Sequence, residues 1–482
     1  LISKKFIRHS FIYTIAGALP VASAVILLPA YLNYLPTEIY GELALYMSFA
    51  LLVQILVTYS FDTSIYNFFH DFKHDEKQLH IFVSSVFSFI LLVSLIAVVV
   101  FSFIGGWTLG IVSKHMTFYP YGMMSVFTGV FQAIFKVNSS LQQTQEKATS
   151  FLFNNLISFS LIAALTIVGL NLFPNGLLGP IAGRLIAVAI SGSWVIISIY
   201  SQHGIHLDFK MVKSTFAFNH PSILYQFLQW MNLTFDRYVL APLINLTAVG
   251  IYDIAAKCLQ VVDFILSGLN ATIFPKVLGI TSLQSEKKTT VEINRYYHGL
   301  TAVTILLVVL SIFSLPIVLR FLIEWFDKPQ YLEVIQWIPL VAVTYLLRSI
   351  RFYVVMPYAV LKYAKPLPWF YLVIVGAKIG SMVALIPLLG IQGVIVATWI
   401  GQGVELVVLY FGIQKKMEVR FNVVKLIVSP LVMAVVIVIA EPWLGTTQPI
   451  LIHAVYVVLA VAVLAWAYRS ELKDLQLGKI LK

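Results

Sequence analysis

The sequence is short of charge and nearly free of cysteine. Asp, Glu, Lys and Arg make up only 11% of its 482 residues, against about 25% in soluble globular chains. The single cysteine, Cys258, allows no internal disulfide and gives no sign of the redox compartment. No polar stretch exceeds about 20 residues, well below the ~50 that a folded soluble domain needs. Neither GxxxxGK[ST] nor HExxH occurs, which excludes a P-loop ATPase and a zinc hydrolase of that type. The 10 histidines fall mostly at expected helix ends and loops, so neither a metal centre nor a resident cofactor is expected. The longest loops, Ser201–Ser222 and Thr281–Tyr297, hold few acids. A membrane enzyme would place catalytic carboxylates in such a loop, so chemistry on a substrate is not expected.

What is present is apolar. The chain is 60% hydrophobic and 14% aromatic, with a mean hydropathy of +0.90. Crossing the hydrocarbon core takes about 20 apolar residues in a helix. Candidate spans begin near Phe11, Leu43, Ile81, Tyr119, Phe151, Gly179, Ser222, Ile251, Leu300, Val334, Pro366, Ile391, Val423 and Ile450. The expected fold is therefore an all-α integral membrane protein of about fourteen spans. Lys4, Lys5 and Arg8 precede the run Phe11–Leu32, which is long enough to be an uncleaved first helix rather than a signal peptide.

Positive charge fixes the orientation. With this set of spans, Lys114, Arg320 and Lys328 fall on one side of the membrane. Arg184, Arg237, Lys257, Arg348, Arg351 and Lys378 fall inside spans. The rest of the 32 Lys and Arg, Lys136 among them, fall on the side of the N-terminus. Cytoplasmic loops carry the Lys/Arg excess, so both termini are expected in the cytoplasm. The net charge of +11 is then mostly topology, and no nucleic-acid partner is expected.

Two hairpins repeat. Leu27–Tyr46 reads LLPAYLNYLPTEIYGELALY and Leu240–Lys257 reads LAPLINLTAVGIYDIAAK. Each has a Pro near the outer end of a helix, a short turn, Gly beside or near Tyr, an acid and a small-residue helix. Six spans separate them, so the halves run in parallel, a pattern common in transporters with a site near the midplane.

These residues carry a resemblance. Pro36-Thr37-Glu38-Ile39-Tyr40-Gly41 resembles the P/S-x-E-x-Y-G turn of Wzx-type polysaccharide and O-antigen flippases. Asp236-Arg237-Tyr238 followed by Ala248-Val249-Gly250-Ile251-Tyr252 is similar to their D-R-Y…A-V-G-I-Y signature. That family belongs to a superfamily shared with lipid II flippases and MATE drug exporters. The resemblance implies two six-helix lobes, 1–205 and 206–415, and an added helix pair with a cytoplasmic tail, 416–482. It also implies export of an undecaprenyl-diphosphate-linked oligosaccharide by alternating access in the bacterial inner membrane. The expected partners are that lipid-linked oligosaccharide, membrane lipids, and the polymerase and glycosyltransferases of the same pathway.

Ionisable residues inside spans cost several kcal/mol unless they face a partner or a cavity, so each is a candidate for function. Asp236 and Lys257 lie about 10 Å below the outer boundary on consecutive helices. Asp236–Lys257, Arg237–Asp253 and the i,i+4 pair Asp253–Lys257 are all available, and an ion-pair cluster that locks the hairpin stands beside a cavity-lining role. Arg348 and Arg351 share a face of their span. Arg348 is too deep to reach the headgroups comfortably, and a guanidinium suits bidentate phosphate contact. Lys378 is near mid-span. Arg184 is close enough to the outer surface to snorkel. Asp62 stands near the inner end of its span, where it can be solvated. Asp236, Asp263 and Glu405 are candidates for coupling to an H+ or Na+ gradient, since burial favours proton or cation capture by a carboxylate. Gln226, Gln229, Trp230 and Asn232 could offer sugar hydroxyls a polar face and a stacking ring; the alternative is hydrogen bonding between helices.

Arg237, Lys257, Arg348, Arg351 and Lys378 leave an excess of cations in the C-terminal half, which favours an anionic substrate over a cationic drug. A lipid II flippase or MATE-like drug exporter is the second reading. A membrane-bound polymerase or ligase is the third, and no large outer loop supports it.

Overall fold

The computed structural model describes residues 25–72, 75–112, 116–282 and 289–444, together with Val458, Val461, Leu464 and Tyr468. The described residues are helices joined by short turns, with no strand element among them. They fall into two compact units, 1–250 and 251–482.

Helices stand where the spans from Leu43 to Val423 are expected. The span near Ile450 and most of the one near Phe11 lie outside the described residues. Eight of the described helices are long and apolar enough to cross a membrane. Met123–Thr144 and Leu246–Ser282 are not among those eight, and both carry a heavy polar load: Lys136 and Asn138 on the first, Asp253, Lys257 and Asp263 on the second.

In the first unit, Thr37–Thr58 begins after the extended Pro36 and carries Glu38 in its first turn, where the helix dipole favours an acid. It ends in two left-handed residues, Tyr59 (φ 47°) and Ser60 (φ 62°). Only after this break does Phe61–Phe72 start. The 37-residue helix Glu76–Val112 is about 55 Å long and exposes Leu95, Phe103 and Trp107, the surface that a hydrocarbon environment would cover. The two motif turns pack backbone to backbone. A Cβ on Gly41 would stand 2.0 Å from the Leu246 carbonyl oxygen, and one on Gly250 would stand 2.2 Å from that of Thr37. Only glycine permits so close an approach, which is how small residues hold membrane helices together.

Two expectations are corrected here. Lys136 lies within Met123–Thr144, and its Nζ is 2.8 Å from Asp62 Oδ2. Asp62 is buried rather than solvated. A hydropathy window cannot see this pairing, because its partners are 74 positions apart. Arg184 does not reach for the surface alone: with the Gln132 amide turned so that its oxygen faces the guanidinium, Arg184 Nη2 and Nε donate to that oxygen over 3.1 and 3.3 Å.

In the second unit, Thr290 caps Val291–Trp325 by accepting from the Ile293 amide. Glu333–Val360, Leu367–Leu389 and Ile391–Gln414 follow, the last two joined by Gly390 alone at φ 61°. Tyr353 donates to Asn294 Oδ1 at 2.6 Å and to the Arg420 carbonyl at 2.7 Å. This fixes the start of Val291–Trp325 and the segment after Ile391–Gln414 on the same helix.

Candidate substrate site

The first unit holds Asp236 and Arg237 where a helix restarts. Phe216–Thr234 ends, Phe235 turns, and Asp236–Leu243 begins. Asp236 is thus the first residue of a helix, where free amides point outward. Its Oδ1 accepts from the Arg237 backbone amide and from Arg237 Nη1, each at 2.9 Å. Adjacent residues on a continuous helix do not face each other; the guanidinium reaches back toward its own turn and also donates to the Leu233 carbonyl at 3.3 Å. Both side chains are buried.

Their neighbours are anchored. Trp230 is buried, donates from Nε1 to the Ser48 carbonyl at 3.1 Å, and stacks on Phe227. Tyr238 donates to the Leu45 carbonyl at 2.9 Å. The indole thus makes a bond between helices, and one of its faces is covered. Gln229 donates to the Tyr225 hydroxyl, and Asn232 is half-buried on the same helix.

The second unit holds the other predicted residues, mostly in pairs. Lys257 Nζ lies 2.7 Å from Asp253 Oδ2, one turn earlier on Leu246–Ser282. Arg348 Nε lies 2.9 Å from Asp263 Oδ1, an ion pair without hydrogen-bond alignment. Their side chains are 24% and 25% exposed, the most open of these pairs. One turn on from Arg348, Arg351 closes a triangle. Its Nε donates to Glu405 Oε1 at 2.6 Å, its Nη2 donates to the Tyr371 hydroxyl at 2.8 Å, and Tyr371 donates to the same Glu405 oxygen at 2.5 Å. Glu405 is 3% exposed. Lys378 is buried, with its stem laid on Gly401: a Cβ there would stand 2.9 Å from Lys378 Cβ.

These pairs change the electrostatic argument. Arg237, Lys257, Arg348 and Arg351 each have a carboxylate within 2.9 Å. The cation excess is therefore largely compensated in this state, and counting cations overstates the field that a substrate would meet. Sequence reasoning missed Tyr371. Its one signal is that it lies two turns before Lys378, on the same face of Leu367–Leu389. Among the described residues, no group of three or more His, Cys, Asp or Glu could hold a metal ion.

Residues 6–278 match the family described as polysaccharide biosynthesis protein. The chain belongs to this family. A Haemophilus influenzae protein named Lsg locus putative protein 1 is 25% identical over 283 residues, which is 56% of this chain. The match spans 65% of that relative's length. The fold is similar to that of the lipid II flippase MurJ in an inward closed conformation, with a TM-score of 0.70, 15% identity, and 96% and 99% of the two chains covered. It is also similar to the MATE multidrug transporter DinF-BH, with a TM-score of 0.58, 13% identity, and 86% and 96% covered. An inward-facing multidrug resistance MATE transporter gives 0.56 at 11% identity, with 85% and 93% covered. This polysaccharide biosynthesis protein is thus a multi-span membrane protein with a fold that flippases and drug transporters share, and those neighbours are not enzymes.

Proposed function

We propose that the chain is a flippase that moves an undecaprenyl-diphosphate-linked oligosaccharide from the inner to the outer leaflet of the bacterial inner membrane. It works by alternating access, with both termini in the cytoplasm, and serves synthesis of a surface polysaccharide such as O-antigen or exopolysaccharide. The family supports the glycan and the fold supports transport. The observation that carries the anionic headgroup is the Arg348–Asp263 pair, a guanidinium held by one loosely aligned carboxylate and a quarter exposed. A diphosphate offers a bidentate partner that a single carboxylate oxygen does not. Arg351 and Lys378 would add contacts beside it, and Lys257 and Arg237 are further candidates. Coupling to H+ or Na+ would fall to Asp236, Asp263 or Glu405. Polymerase and glycosyltransferases of the pathway would be partners.

A lipid II flippase is the second reading, favoured by the extent of the likeness to MurJ. Reconstitution in vesicles separates the two. One arm supplies polyprenyl-diphosphate oligosaccharides from the source organism, the other supplies lipid II, and an impermeant probe reads the lipid reaching the far leaflet. Movement of the first alone supports the proposal, and movement of lipid II alone overturns it.

A further inference from the structure

The first unit carries a polar cluster that the cation-centred site does not use. It forms where Phe61–Phe72, Met123–Thr144 and Phe216–Thr234 come together. Lys136 Nζ meets Asp62 Oδ2 at 2.8 Å. Gln226 Nε2 donates toward Ser60 Oγ at 3.1 Å, Asp62 Oδ1 at 3.3 Å and Thr63 Oγ1 at 3.4 Å. One turn beyond Asp62, Tyr66 donates to Gln143, which lies two turns beyond Lys136. The cluster is a ladder of two rungs between two helices, with a third helix contributing an amide.

Three features separate this ladder from an ordinary seam between helices. First, it is open: Tyr66 is 38% exposed and the Lys136 side chain 37%. Second, its capacity is not used up: Gln226 Oε1 is buried with no hydrogen-bond partner, and an acceptor left bare in this way has lost its water without replacement. Third, it is neutral: one carboxylate matches one ammonium, and the rest are amides, hydroxyls and a phenol. A neutral set of mixed donors and acceptors does not select a diphosphate. It suits a ligand that presents many hydroxyls and amides without charge.

The break at Tyr59 and Ser60 makes the arrangement possible. Two consecutive left-handed residues interrupt the helix and bring the Ser60 and Thr63 hydroxyls and the Asp62 carboxylate together around Gln226.

We propose that Asp62, Lys136, Gln226, Thr63, Tyr66 and Gln143 form a subsite, within the first unit, for the glycan of the lipid-linked substrate. This rests on the flippase reading above. The ladder sets which sugars are accepted, while the cations recognise the headgroup that every such lipid shares. Tyr66 and Gln226 supply the exchangeable hydrogen bonds, and the Asp62–Lys136 pair holds the two helices at the spacing that the ladder needs.

Native mass spectrometry of the purified protein tests this with two probes: the polyprenyl-diphosphate oligosaccharides extracted from the source organism's membranes, and undecaprenyl diphosphate bearing no sugar. The wild type is expected to hold the glycosylated lipid at least tenfold more tightly. Gln226→Ala and Tyr66→Phe are each expected to weaken the glycosylated lipid at least threefold and leave the bare lipid unchanged. Tyr66→Phe removes a single hydroxyl from an exposed ring, and retained binding of the bare lipid reports that each variant is folded. Equal binding of both lipids by the wild type, or equal loss of both in the variants, overturns the subsite while the flippase reading stands. Failure of the wild type to bind either lipid overturns both.

Discussion

Gly41 and Gly250 occupy equivalent places in a reciprocal crossing. Each lies against the carbonyl oxygen one turn before the other, Leu246 for Gly41 and Thr37 for Gly250. The sequence repeat is thus also a repeat in packing. A side chain at either position meets backbone, which cannot rotate away. Gly41→Val is expected to destabilise the protein by about 1–3 kcal/mol, the usual cost of overpacking. Thermal unfolding in detergent should show a clear fall in midpoint. A midpoint equal to wild type would mean that the crossing opens without cost.

Arg348→Ala should reduce glycan export at least tenfold while expression and melting temperature stay near wild type. The pair with Asp263 is a quarter exposed and without hydrogen-bond alignment, so water still reaches Asp263 once its partner is gone, and the loss of stability stays below that of a fully buried pair. Surface polysaccharide in a complemented deletion strain gives the first readout. Export at the wild-type level would remove Arg348 from the headgroup site.

Glu405 stands in contrast. It is buried, and it receives both Arg351 and Tyr371. Glu405→Gln leaves a guanidinium without its counter-charge, a loss on the order of 3–5 kcal/mol for a buried pair. Tyr371→Phe removes one hydroxyl and should cost about 1 kcal/mol. Unfolding midpoints in the order wild type, Tyr371→Phe, Glu405→Gln are expected. The reverse order would show that the triangle is held by the phenol and not by the charge pair.

Asp236 is tested through coupling. Asp236→Asn keeps an oxygen for the Arg237 amide but removes the charge. If this residue couples transport to an ion gradient, flipping by the variant in vesicles should proceed at one rate with or without an imposed H+ or Na+ gradient. Undiminished gradient dependence assigns coupling elsewhere, with Asp263→Asn the next variant to measure.

Much of this was legible in the chain. Apolar runs located the helices from Leu43 to Val423, because burial in hydrocarbon demands length and apolarity whatever the tertiary contacts. The Gly41 and Gly250 motifs were visible as a repeat, although the crossing between them was not. The i,i+4 pair Asp253–Lys257 could be read from spacing alone. Arg351–Glu405, Arg348–Asp263 and Lys136–Asp62 could not, since their partners lie on different helices and no periodicity links them. That gap limits what a count of charges conveys: the cations inside spans are visible in the sequence, but the acids that pair with them become partners only once the helices are packed.

The one-to-one pairing of Arg348 with Asp263 has a consequence for exchange. An unloaded chain carries its own counter-anion at this position. On the flippase reading proposed above, a diphosphate that takes Arg348 would displace Asp263 from it, and the freed carboxylate would become a place for a proton or sodium ion from solution. The arrival of the anionic lipid and the uptake of a cation would then be two sides of one exchange of partners.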